Sequence, residues 1–214
     1  MAGTFETILQ NGIAKGHIPN LTQSSRDWYR AAARDFGAKV RSSPGQKERI
    51  DYHRPSLRNM MKENADQLTT RIEPGSMYMY FYDAKHKDTL PFWDRFPLIF
   101  PFRVKGKYFY GINLHYLDLP MRAALMDELY SITNNKKFNE STKLKMSYKV
   151  LNSASKFAAF KPCVKMYLAS HVQSKFLYIK PENWDTCLFL PTEKFVGATK
   201  AQVWADSRRK LRGS

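Results

Sequence analysis

The tripeptide Asp83-Ala84-Lys85 is a place where residue type and spacing could do chemistry. An acid two residues ahead of a lysine resembles the element of metal-dependent nucleases in which the carboxylate holds Mg²⁺ and the lysine steadies the attacking water. That chemistry needs a second acid on an adjoining strand. Asp88 and Asp94 are the nearby carboxylates, and the sequence pattern places both in a loop, which makes a nuclease the minor reading. Other catalytic signatures are missing. Gly37, Gly45 and Gly106 stand alone, no G-K-[ST] occurs, and there is no G-x-S-x-G elbow. His17, His53, His86, His115 and His171 are scattered without a metal-ligand spacing, and His115, within an expected strand, reads as a hydrogen-bonded core residue. Cys163 and Cys187 are too few for a disulfide framework or a zinc site and are expected to be reduced thiols. The expectation is a non-enzymatic protein with no catalytic residue, no metal and no cofactor.

Charge is the stronger signal. Thirty-five Lys and Arg against nineteen Asp and Glu leave a net +16. The excess is segregated. Residues 1–75 hold twelve basic and eight acidic residues (+4), residues 76–130 seven and six (+1), and residues 131–214 sixteen and five (+11). Between Glu140 and Glu182 there is no acid but eight lysines: Lys143, Lys145, Lys149, Lys156, Lys161, Lys165, Lys175 and Lys180. Like charges repel unless a partner neutralises them. The same stretch carries Phe157, Phe160, Val164, Tyr167 and Leu168, so it is expected to fold. A folded surface of one sign favours phosphate contacts. The plain alternative is a solvated basic face. The aromatic runs Tyr78–Tyr82 and Tyr108–Tyr116 could stack on exposed bases, but core packing is their commoner use.

These residues need elements to hold them. With 43% apolar and 14% aromatic residues the chain can build a core, and no apolar run approaches a membrane span. Met1–Gly16 lacks the pattern of a signal peptide. Residues 1–75, polar and broken by Pro19, Pro44, Pro55 and Pro74, are expected to form an N-terminal arm with a helix from Ser24 or Ser25 to Gly37 and a second after Pro55. Residues 76–214 are expected to form an α+β core domain. In its first part, 76–117, three short aromatic strands (Met77–Tyr82, Leu98–Phe100, Tyr108–Leu117) turn at Lys105-Gly106-Lys107. They suggest a small SH3-like antiparallel β-barrel, with Gly111 marking a bulge or close backbone approach. Residues 118–200 are expected to supply three helices and two closing strands. The helices begin near Asp118, at Ser141 or Thr142, and at Pro162, the last running to about His171. The strands, Phe176–Ile179 and Thr186–Leu190, would form a hairpin. Residues 201–214 are expected to be a short helix running into the basic tail Arg208-Arg209-Lys210-Leu211-Arg212.

Several strings in this frame resemble a known family. Tyr82–Leu98, Gly111–Leu117, Arg122–Asp127, Phe160–Cys163, Trp184–Pro191 and Val203–Ser207 are similar to a virion protein of T-even-type, contractile-tailed bacteriophages, the DNA end protector or head-completion family. The resemblance spans about residues 76–210. It implies a protein of the virion, and of the host cytoplasm during assembly, that sits on the terminus of packaged double-stranded DNA and shields it from exonuclease. A neck, tail or baseplate adaptor whose basic surface meets acidic subunits stays open beside it. On the first reading Lys143, Lys145, Lys149, Lys156, Lys161, Lys165, Lys175, Arg208, Arg209, Lys210 and Arg212 are the expected phosphate contacts. The arm 1–75 is expected to reach other virion subunits, homo-oligomerisation is left open, and no membrane contact is expected.

Overall fold

Alternation along Met77-Tyr78-Met79-Tyr80 sorts two kinds of side chain onto two faces of one sheet. Met77 and Met79 join a cluster with Leu98, Phe100, Ile112, Leu177 and Ile179. Tyr78 and Tyr80 join a second cluster with Ile99, Phe109 and Tyr167, against which Phe176 and Tyr178 pack. The computed structural model describes residues 57–118, 122, 125, 126, 129, 132, 136–156, 158–181, 184 and 192–212. The helix expected over 24–37 and the strand expected over 186–190 lie outside them.

The described chain runs α1 (Leu57–Glu63), β1 (Leu68–Thr69), β2 (Met77–Met79), β3 (Trp93–Asp94), β4 (Leu98–Lys105), β5 (Tyr108–Asn113), α2 (Glu140–Ala154), β6 (Val164–Leu168), β7 (Phe176–Ile179), β8 (Phe195–Val196) and α3 (Lys200–Arg212). Six strands form an antiparallel sheet in the order β1-β7-β2-β4-β5-β6, and β3 pairs with β8 apart from it. The β4–β5 hairpin turns at Gly106, whose φ of 51° suits glycine. Gly111 sits opposite Pro101, next to a register shift between Pro101 and Arg103. A Cβ at Gly111 would stand 3.1 Å from Ile99 Cδ1, so the expected close approach is real.

Among the described residues the strands do not close into the expected SH3-like barrel. The sheet curls: the Tyr80 ring lies 5.9 Å from Phe109 on β5 and 5.6 Å from Tyr167 on β6. A flat sheet would hold β2 and β6 about 14 Å apart, three spacings of about 4.8 Å. The aromatic face is therefore concave. Closure fails because β6 leaves through the 3₁₀ turn Ala169–His171, and β7 then pairs with β2 and β1. Among the described residues no ladder joins the edge strands β1 and β6.

Helical residues cover the other face. Leu57 and Met61 of α1, helical Leu125, Met126 and Leu129, Leu151 and Ala154 of α2, and Val203 of α3 are buried in the same cluster as the methionines. α1 and β1 fall in the stretch assigned to the arm. α2 begins earlier than expected, because Asn139 rather than Ser141 or Thr142 is the cap: its Oδ1 accepts from the Thr142 amide at 2.8 Å. Its buried face is Ser147, Leu151 and Ala154, which leaves Tyr148 39% exposed.

The helix expected over 162–171 is a further correction. Ala158–Cys163 is 3₁₀, and Val164–Leu168 is β6, laid along β5 from Ile112 to Tyr108. Pairing with a neighbouring strand overrides local propensity here. Leu114–Tyr116, expected as strand, is a 3₁₀ turn. Along α3, Thr199 and Gln202 form a capping box: the Thr199 amide donates to Gln202 Oε1 at 2.9 Å and the Gln202 amide to Thr199 Oγ1 at 3.4 Å. Helix persists through the residues read as a tail.

Candidate nucleic-acid interface

The basic residues divide by what holds them. α2 packs through Ser147, Leu151 and Ala154, so Lys145 and Lys149, one turn apart, face solvent on its opposite side. Tyr148 stands exposed beside them. Lys156 is exposed just past α2, Lys161 in the following 3₁₀ turn, and Lys175 ahead of β7. No salt bridge to these five lysines occurs among the described residues. Lys143 differs: its Nζ bonds Glu140 Oε1 at 2.8 Å and its side chain is only 19% exposed.

α3 holds its cations in ion pairs. Arg208 Nη1 reaches Asp118 Oδ2 at 3.1 Å. Arg209 and Lys210 share Asp206, at 2.5 and 2.8 Å. Their hydrogen bonds outweigh burial and hold the Asp206 carboxyl below its ordinary range. Arg212 is helical, and its side chain lies outside the description.

Lys165 is no surface point charge. It sits on β6 opposite Gly111, where no cross-strand side chain stands beside its stem. Its Nζ lies 3.9 Å from the centre of the Tyr116 ring. Burial, more than any neighbouring charge, pulls the ammonium down to about 8. It lines a pocket of about 380 Å³ whose other walls include Phe92, Trp93, Tyr116, Met166 and Tyr167, with Lys85 and His86 from the loop after β2. Phe92 also borders a second hollow that holds Arg209 and Lys210. Thus Lys165, Arg209 and Lys210 of the expected set come together around Phe92, joined by Lys85 and His86. A further cleft of about 760 Å³ is lined by Arg58, Lys87, Arg95 and Lys194. Apart from Arg209, Lys210 and Lys165, the basic residues of these hollows were not expected as contacts. They lie in near-neutral stretches or are isolated along the chain, so no charge run marked them.

A buried polar knot fixes the pocket wall. Asp94, expected in a loop, lies on β3. Its Oδ2 accepts from His115 Nδ1 at 2.7 Å and Asn113 Nδ2 at 3.0 Å, and its Oδ1 accepts from the Phe96 amide at 3.1 Å. Burial pushes the carboxyl up, but these partners overcome it and hold Asp94 below the usual carboxylate range. Asn113 also donates to the Tyr167 hydroxyl, and His115 Nε2 faces Thr192 Oγ1 at 3.1 Å. α3 ties in through Trp204 Nε1, which donates to the His115 carbonyl at 2.8 Å. Arg122, 1% exposed, donates to the Leu117 carbonyl and pairs with Glu193 at 2.8 Å. Cys163 is buried beside this corner, its thiol pushed up to about 12 by desolvation.

Two of the acids considered for the nuclease motif, Asp83 and Asp94, have other partners. Asp83 is held by Lys87, at 3.1 and 2.9 Å from its two oxygens, while Asp94 is spent on His115, Asn113 and the Phe96 amide. Among the described residues no three His, Cys, Asp or Glu side chains gather as a metal site. Tyr78 and Tyr80 are buried in the concave core, and Tyr82, packed with them, also reaches the wall of the pocket beside β6. No described helix is long and apolar enough to cross a membrane.

No curated protein and no solved structure matches the chain. A family model does, over residues 20–208, reaching well upstream of the strings that carried the resemblance from residue 76. By that match over most of its length, the chain belongs to the family described as the phage T4 terminal DNA protecting protein.

Proposed function

We propose that this protein is a non-enzymatic component of the phage particle that binds the end of packaged double-stranded DNA, completes the head and shields the terminus. The observation that carries the reading is the exposed, acid-free set Lys145, Lys149, Lys156, Lys161 and Lys175 on a folded scaffold, within a chain of the terminal DNA protecting family. Surface lysines free of carboxylates are available to phosphates, and each contact formed releases condensed counterions. The binding they support is sequence-independent and salt-sensitive. Arg208, Arg209 and Lys210 act in this reading as reserve cations that must first leave Asp118 and Asp206.

Fluorescence anisotropy with a blunt duplex across a salt series tests this. The expected result is measurable affinity at low salt and a log–log slope of about −0.9 per phosphate contact. Absent binding, or affinity flat with salt, overturns it. Digestion of linear duplex by a processive exonuclease supplies the second readout, and protection of ends is the expected outcome.

A further inference from the structure

A face of lysines reads phosphates anywhere along a duplex. It does not tell an end from the interior. An end differs in having an exposed base face and a terminal phosphate with no chain beyond it. Recognition of both calls for a recess with aromatic walls and a cation inside. The pocket beside β6 has that form. It holds about 380 Å³, within the range of about 300–1,000 Å³ typical of small-ligand sites. Half-buried Phe92 supplies ring surface, the largely buried Trp93 and Tyr116 close the wall behind it, and the Lys165 side chain lies within the pocket over the Tyr116 ring with no hydrogen bond or ion pair among the described residues. Lys85 and His86 stand exposed at its border. The carboxylate that lines it, Asp94, already accepts three hydrogen bonds and does not neutralise Lys165.

We infer that this pocket takes the terminal nucleotide of the DNA end, its base against the Phe92, Trp93 and Tyr116 walls and its phosphate at Lys165. The inference rests on the proposed function and assigns to it a separate site: α2 and its neighbouring lysines hold the duplex, and the pocket recognises where it stops. Charge complementarity selects a nucleotide over an apolar peptide, because a peptide side chain would leave the Lys165 ammonium desolvated and unpaired. A phosphate pairs it.

The full-length protein is titrated with two probes. One is a 5′-phosphorylated blunt duplex. The other is the same duplex closed at both ends by hairpin loops. The quantity read is the ratio of the two Kd values, so that general duplex affinity cancels. Wild type is expected to prefer the open duplex by about tenfold, the contribution of one stacked base. Lys165→Met and Phe92→Leu, made separately, are each expected to bring the ratio close to one. Trp93 fluorescence, assigned by difference from Trp93→Phe, is expected to be quenched by the open duplex alone. A wild-type ratio of one overturns the inference while leaving the proposed function intact. A preference that survives both substitutions also overturns it, since the end is then read elsewhere. Failure of wild type to bind either duplex removes inference and function together.

Discussion

α2 and α3 are both basic helices, yet they offer different things to a partner. α2 carries its acid, Glu140, in the first turn, where it pairs with Lys143 and leaves Lys145 and Lys149 outward and free of salt bridges. α3 carries Asp206 in mid-helix, where it takes Arg209 and Lys210, and Asp118 reaches across from another segment to take Arg208. α3 is also bound to the core: Trp204 donates to the His115 carbonyl, and Arg122 stacks 5.6 Å from the Trp204 ring. Counting charge along the chain ranks the two helices together. Locating the acids separates a contact face from an anchored one. One acid placed three or four residues before two cations is enough to hold both.

The largest effect comes from cutting the anchor. Arg122→Met leaves Glu193 buried without its cation, and breaking one partner of a buried pair costs about 3–5 kcal/mol. Urea denaturation should show that loss. The salt slope of DNA binding by the remaining folded protein should stay as in wild type, because Arg122 is 1% exposed. A loss below about 1 kcal/mol would mean that this corner does not depend on the pair.

Charge removal on α2 comes next. Lys145→Ala with Lys149→Ala should flatten the log–log salt slope by about two, one unit for each lost phosphate contact. Arg209→Ala with Lys210→Ala should flatten it less, because those cations give up an ion pair to bind. Equal slopes for the two pairs would break the distinction between the helices.

Lys165 tests the border between anchor and contact by stability. Its folded pKa of about 8 lies below the ordinary 10.5, so between these values the unfolded chain binds more protons and stability rises with pH. Below about pH 8 the cost of the desolvated ammonium is present in full. The groups acting on it besides burial are Cys163, Lys210 and Asp206, with the Tyr116 ring beneath. Lys165→Met should therefore stabilise the protein at pH 7, by about 1–3 kcal/mol in urea titrations, while its end preference is lost. A destabilised variant would identify Lys165 as a packing residue only.

Much of this fold is legible along the chain, and the failures share a cause. The hairpin at Gly106, the buried run Leu98–Phe100, the close approach at Gly111 and the helix after Pro55 follow from local turn chemistry and alternation, and the structure has them. β6 looks helical along the chain because Val164–Leu168 is short and its partner, β5, lies more than fifty residues away. The sequence suggests a barrel where the structure has an open sheet, because strand content does not say which edge a chain returns to. The capping box Thr199-Lys200-Ala201-Gln202 was visible as a motif, and extending its helix through Arg212 would have brought Asp206 opposite Arg209 and Lys210. The pocket was not legible: Lys85 and Phe92 of the β2–β3 connection, Tyr116 and Lys165 come from three separate segments that only the folded sheet brings together.

The smallest effect sharpens the comparison most. Asp206→Asn keeps the shape of the side chain and removes the charge that holds Arg209 and Lys210. Exposed pairs of this kind contribute about 0–1 kcal/mol, so the fold should lose little. The Asp206 carboxyl sits below its ordinary value in the folded state, so its contribution is present above the unfolded pKa and lost as pH falls through the folded one. The stability difference between variant and wild type should therefore shrink in acid. DNA binding should move the other way. With two cations released, the salt slope at pH 7 should steepen, by up to about two units if both reach phosphates. Such a variant makes α3 resemble α2, binding more tightly at a small cost in stability. An unchanged slope would show that α3 faces away from the duplex, and that the contact surface is α2 with its neighbouring lysines alone.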